Sequence, residues 1–286
     1  NYKRTFFIGL AFMSISSFWQ LYNYIIPLIL KNTFQVTDDI SGYVMAADNV
    51  LAVLLLPLFG ALSDKTHTRF GKRKPFIVAG TLLAAALMLL IPYANTRKNL
   101  PMLILVLALL LIVMSAYRSP AVALMPDVTP KPLRSKGNAV INLMGALGGI
   151  FTYLVITAFA DHYTLIFAIV ASFMVACAVV LMLTIHENRL VAQMPQEDPP
   201  AASEKTEGGP LPPAVKKSLL FLLLSVSLWF MAYNAVETAY SRYVQDVWGK
   251  SESVGSTMMI VAMLVATASY LPVGLLSAKL GRKKVI

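Results

Sequence analysis

Apolar residues run along this chain in unbroken blocks, and short polar stretches separate them. Eight blocks are legible, at about 5–30, 40–62, 75–94, 100–125, 138–160, 164–185, 216–241 and 254–276. About 20 consecutive apolar residues cross a bilayer as a helix. The short alternating segments of a membrane barrel do not occur. The pattern therefore predicts an all-α membrane protein. Residues 186–215 differ in kind: the stretch QEDPPAASEKTEGGPLPP is rich in Pro, Gly and Glu and reads as a flexible polar linker. The expected organisation is an N-terminal six-helix bundle over 1–185, a linker over 186–215, and two helices that begin a second bundle over 216–286.

Composition agrees with the pattern. The 286 residues are 57% hydrophobic and 13% charged, against about 25% charged in a soluble domain. A net charge of +10 would suggest nucleic acid in a soluble protein. Here the basic residues sit in loops between apolar blocks, without the aromatic interleaving of a single-strand binder, so nucleic acid is excluded as a partner. Of the 24 Lys and Arg, 18 fall on one side of the expected membrane, five on the other, and Arg118 inside a span. The rich side is expected to be cytoplasmic. That places the N terminus, the 63–74 loop and the linker in the cytoplasm of a cell with the protein in its inner membrane.

Other classes recede. The single cysteine, Cys177, lies in an apolar block and has no intramolecular partner. No metal-ligand cluster, nucleophile–base pair or phosphate-binding loop stands out, so no metal, cofactor or enzymatic activity is expected. The first block is too long for a cleavable signal peptide and lacks a small-residue cleavage site. The chain opens without Met and stops soon after a loop, as a partial chain would.

An internal repeat follows spans two and eight. Gly60-Ala61-Leu62-Ser63-Asp64-Lys65 is matched by Gly274-Leu275-Leu276-Ser277-Ala278-Lys279, and each copy leads to a Gly and a basic run, at 71–74 and 281–284. Two repeated halves joined by a central loop is a transporter architecture. In the first copy, Gly60 and Gly71 permit close approach and tight turning. Asp64 can pair with Arg69 or Arg73, and such a pair can latch one conformational state. The plainer alternative is that Lys72, Arg73 and Lys74 only fix topology.

The segment GALSDKTHTRFGKRKPF, Gly60 to Phe76, resembles the signature loop of the major facilitator superfamily. Its long form, together with Leu124-Met125-Pro126-Asp127, is similar to the glycoside–pentoside–hexuronide transporters and the sucrose-type proton symporters. The resemblance implies the major facilitator fold of two six-helix bundles and alternating-access sugar symport. The alternatives are a uniporter or exporter of another small polar solute, or a lipid-handling member of the same fold. Melibiose-type relatives bind sodium through two Asp on span two. Here Leu56 precedes Pro57 and Ala52 stands one turn earlier, so that site is absent and protons are the expected coupling ion. In sucrose-type relatives an Arg follows a span-four Pro by two residues, where this chain has Val122; Arg118 instead precedes Pro120 by two.

Three ionisable residues lie inside spans: Asp48, Arg118 and Glu237. A charge at mid-bilayer costs at least roughly 2.5–3.5 kcal/mol, so it normally faces a cavity or a partner. Each is either a structural ion pair, a snorkelling end residue, or part of a proton pathway. Burial disfavours a charged carboxyl while a neighbouring guanidinium favours it. An Asp48–Arg118 pair could therefore hold a proton that is released when their separation changes. Candidate solute contacts are the amides of Gln20 and Asn23 and the ring of Trp19 on span one, with Asn49, Asn142, Tyr233 and Asn234 as additions. Amides bond sugar hydroxyls, and an aromatic face packs on a sugar ring. A monomer is expected, with a small solute, protons and the bilayer as its partners.

Overall fold

A computed structural model describes residues 2–130, 134–160, 162–192 and 213–280. The helices are α1 (Tyr2–Asn32), α2 (Asp38–Lys65), α3 (Lys74–Thr96), α4 (Leu100–Asp127), α5 (Arg134–Ala158), α6 (Tyr163–Thr184), α7 (Glu187–Ala192), α8 (Pro213–Asp246) and α9 (Glu252–Leu280). No strand occurs among the described residues. Eight of the helices are long and apolar enough to span a membrane, and they coincide with the eight apolar blocks.

Successive long helices run antiparallel. One end of the bundle, the loop end, collects the start of α1, the 66–73 loop, the end of α4 and α7. The opposite end collects the 33–37, 97–99 and 247–251 turns. Inside, α1 is the central element, packed on α5 and α6 and touching α2, α4 and α8, while α3 lies between α4 and α6. Leu21, Ile25, Ile26, Leu28 and Ile29 are fully buried along it.

Small residues set the closest crossing. A Cβ on Gly148 would overlap the Met13 carbonyl, and one on Gly145 would reach Ser16 Oγ at 3.0 Å. Ser17 Oγ donates to Gly148 O at 2.9 Å, and Thr152 Oγ1 to Ser17 O at 3.1 Å. Glycine and hydroxyl residues draw transmembrane helices together in this way, since apolar side chains gain nothing over lipid.

Two features depart from the pattern reading. The expected linker opens with a helical turn, α7, because Glu187 and Asn188 are bound to the 66–74 segment rather than to water. Residues 193–212 lie outside the described residues, and 213–215, the end of the expected linker, already belong to α8. Span seven was expected to end near 241, but α8 continues to Asp246. Its polar last turns are held against α1 and α2, where Arg242 and Asp246 find partners. In the second copy of the loop motif, residues 274–279 are helical and 281–284 lie outside the described residues.

Candidate functional site

Midway along α1, two groups of polar residues face two different neighbours. On one side Gln20 Oε1 accepts from Tyr153 OH of α5 at 2.6 Å. The Glu237 carboxyl of α8 lies beside the Gln20 and Asn23 amides. Asn23 is buried at 8% exposure. Gly149 makes room here: its Cβ would meet Gln20 Cγ at 3.2 Å and the Met263 side chain of α9 more closely still. The structure thus brings together Gln20, Asn23 and Glu237 and adds Tyr153, which the pattern reading did not single out. Its signal was weak, a lone tyrosine in an otherwise apolar span.

On the other side, Trp19, Asp48, Asn49, Ser115 and Arg118 line a small cavity between α1, α2 and α4. Asp48 and Arg118 share it without forming an ion pair. Asp48 Oδ1 accepts from the backbone and side-chain nitrogens of Asn49 at 2.7 and 2.8 Å. The Arg118 guanidinium lies 5.7 Å from the Trp19 ring centre. Two donors at this site have no hydrogen-bond partner although they are buried, Trp19 Nε1 and Tyr22 OH. The two rings touch edge to face, 5.7 Å apart. A buried donor left unpaired costs about 1–3 kcal/mol, so both are poised for an oxygen acceptor. Tyr22 was missed in the sequence because it resembles a belt tyrosine.

The remaining candidates disperse. Asn49 also lines a larger cleft of about 480 Å3 between α2 and α8, together with Asn234, Thr238 and Arg242. Asn234 Nδ2 donates to Phe230 O at 2.9 Å. Tyr233 stacks on Trp229, with centroids 5.8 Å apart. Tyr240 packs on Trp248 and Tyr24. Asn142 is exposed on α5 and joins neither group.

At the loop end Arg73, 4% exposed, is a hub. Its guanidinium donates to Asp127 Oδ2 at 2.8 Å, to Asp64 Oδ1 and to Ser63 Oγ. Of the two expected partners of Asp64, the structure selects Arg73; Arg69 lies instead over the Phe70 ring at 4.7 Å. The Asp64–Arg73 pair ties α2 to α3 and, through Asp127, to α4, so it lies wholly within the first six helices. Glu187 completes the corner. Its carboxylate accepts from the backbone N–H groups of Lys72, Arg73 and Lys74 at 3.0–3.2 Å. In return Lys74 Nζ donates to Met182 O and Ile185 O at 2.9 and 2.6 Å. A carboxylate thus caps the N-terminus of α3 and an ammonium caps the C-terminus of α6, each matching its helix dipole. Gly60 lets α4 approach, its Cβ position lying 3.0 Å from Ser119 Oγ.

Residues 7–286 match the family model described as Major Facilitator Superfamily. The chain belongs to the major facilitator superfamily. It is a multi-pass membrane protein of a transporter family, and what is described of it is part of the major facilitator fold. A crystal structure of a bacterial homolog of the human lysosomal transporter Spinster, in an inward-facing and occupied conformation, superposes over 98% of this chain and 61% of that one, with a TM-score of 0.64 and 17% identity. Proton-associated sugar transporter A of Mus musculus is 33% identical over 144 residues, 46% of this chain and 19% of the relative. Solute carrier family 45 member 3 of Mus musculus is 32% identical over 142 residues, 46% of this chain and 25% of the relative. The aligned part is thus a quarter or less of these curated relatives' length.

The first six helices also meet α8 and α9. Among the described residues, those contacts lie in the half of the bundle away from the loop end. Lys31 pairs with Asp246 and Arg242 with Asp38. Tyr24 OH donates to Glu252 O at 2.7 Å, Tyr163 OH to Glu252 Oε1 at 2.5 Å, and Thr157 Oγ1 meets Ser256 Oγ at 2.7 Å. Toward the loop end, the α8 side chains from Leu219 to Met231 are exposed.

Proposed function

We propose that this transporter moves a sugar or a closely related polyhydroxylated solute together with a proton, by alternating access. The observation that carries the reading is the cavity that holds Asp48 and Arg118 side by side yet unpaired, flanked by the free donors Trp19 Nε1 and Tyr22 OH. An acid that can hold a proton and a cation that competes for it line a space of about 20 Å3, room for one hydroxyl oxygen in this closed state, with donors suited to such an oxygen beside it. Loading Asp48 with a proton releases Arg118 for solute, and deprotonation restores the attraction between them. Gln20, Asn23 and Glu237 form a second polar group across the α1–α8 contact. This is where solute bound between the halves would be held, and Glu237 is the alternative proton carrier. Proton-associated sugar transporter A of Mus musculus supports the solute class and the proton.

The excess of Lys and Arg at the loop end supports a cytoplasmic placement of that end. The state described is then closed toward the outside, with Asp64, Arg73 and Gly71 shaping the cytoplasmic corner. A cell inner membrane and a monomeric transporter complete the reading.

Uptake of radiolabelled sugars into proteoliposomes under an imposed pH gradient tests it. The expected result is gradient-driven accumulation that Asp48→Asn abolishes while solute exchange persists. If Asp48→Asn leaves uphill accumulation intact and Glu237→Gln abolishes it, the coupling role moves to Glu237. Binding without gradient-dependent flux for any sugar sinks the symport reading.

A further inference from the structure

At the loop end, the start of α1, the end of α6 and α7 enclose a cavity of about 290 Å3 lined by Arg4, Thr184, Ile185, His186, Arg189 and Leu190. Its chemistry is one-sided among the described residues: two guanidiniums and an imidazole face it, and none of the described carboxylates lines it. Arg4 and Arg189 are exposed, and neither forms an ion pair among the described residues. Among the described residues, the acids at this end are engaged elsewhere. Glu187, 1% exposed, is turned inward onto the N-terminus of α3, and Asp64 and Asp127 are held by Arg73.

Position narrows the occupant. Arg4 begins the apolar stretch of α1 and Thr184 ends that of α6, so the cavity lies at the level of lipid headgroups. From Thr184 the same face of α6 runs back into the hydrocarbon through Val180, with Leu183 beside it, 71% exposed. A cationic recess that opens onto an apolar strip matches one phospholipid, its headgroup above and its acyl chains alongside. Paired arginines bond phosphate oxygens well because the guanidinium fork fits them, and basic pockets between transmembrane helices hold anionic headgroups.

We propose that this cavity binds the phosphodiester headgroup of an anionic phospholipid, held by Arg4 and Arg189, with the acyl chains on the exposed face of α6. The bound lipid would brace the turn between α6 and α7, the same turn that delivers Glu187 to α3.

Native mass spectrometry of the delipidated protein in neutral detergent, titrated with phosphatidylglycerol or phosphatidylcholine, tests this directly. Phosphatidylglycerol is expected to bind tightly at one site and phosphatidylcholine weakly. Each of Arg4→Gln and Arg189→Gln should weaken phosphatidylglycerol about fivefold, and the double variant about twenty-five-fold. The double Arg→Lys variant keeps the charge without the guanidinium fork and should bind between the parent and the double Gln variant, and Lys98→Gln at the opposite end should change nothing. Among the described residues neither arginine makes a hydrogen bond or ion pair, so the variants should melt as the parent does. Equal phosphatidylglycerol binding by parent and double Gln variant, or no preference over phosphatidylcholine, overturns the proposal. Displacement of the lipid by millimolar inorganic phosphate would assign the cavity to a free anion and overturn it as well.

Discussion

The Glu187 carboxylate occupies the space that a Cβ on Gly71 would fill. Gly71 also has φ +114°, outside the range open to L side chains. Gly71→Ala is therefore expected to cost stability twice, through about 1–3 kcal/mol of backbone strain and through displacement of the cap on α3. Thermal unfolding in detergent should show a clear drop. An unchanged midpoint would mean that Glu187 does not hold this position.

Glu187→Gln isolates the cap. It keeps the side chain's shape but presents an amide NH2 to backbone donors and removes a charge matched to the α3 dipole. A loss of about 1–3 kcal/mol is expected. Glu187→Asp should not rescue it, because one methylene fewer withdraws the carboxylate from the three N–H groups. If Glu187→Gln melts with the parent, the cap contributes nothing to stability.

These two residues also mark what the sequence did and did not disclose. The eight spans were legible because apolar length alone defines a membrane helix, and local spacing offered Arg69 and Arg73 as partners of Asp64, between which only the structure chooses. Glu187 was not legible. It lay in a polar stretch that reads as linker, and its partner is a run of backbone N–H groups 113–115 residues earlier, which leaves no trace in side-chain pattern. Asp48 and Arg118 were recognised as intramembrane charges, but their lack of direct pairing depends on side-chain geometry.

Arg73 should show non-additive behaviour. Asp64→Asn leaves Asp127 on the guanidinium, and Asp127→Asn leaves Asp64, so each single change is expected to be modest, about 1 kcal/mol or less for the exposed Asp64. The double variant strands a buried cation and should cost more than the sum by at least about 1 kcal/mol. A double-mutant cycle on thermal stability measures the excess; strict additivity would show that Arg73 retains enough partners in Ser63 and Gly60 alone.

The ion pairs Lys31–Asp246 and Arg242–Asp38 join the first six helices to α8 at one end only. Removing both carboxylates, with Asp38→Asn and Asp246→Asn, should favour opening at that end. Ser41, 2% exposed and lining the cleft beside Asp38, supplies a reporter. Ser41→Cys should react with a water-soluble maleimide several-fold faster in the neutralised background. Cys177 is buried in α6 and adds little signal. Unchanged labelling would show that these pairs do not hold the end closed.

Tyr22→Phe separates a binding role from a structural one. The ring is buried against Phe18 and Trp19, and phenylalanine preserves that packing. Because Tyr22 OH has no partner in this state, its removal relieves a buried unpaired donor, so stability should hold or rise by up to about 1 kcal/mol. Transport should suffer in the opposite sense. If solute oxygen is the missing acceptor, KM rises about five- to tenfold, the worth of one hydrogen bond of ~1–1.5 kcal/mol, while the pH dependence of transport stays as in the parent. A fall in thermal stability with KM unchanged would show that the hydroxyl bonds within the protein, and the solute contact at this site would then rest on Trp19 and Arg118 alone.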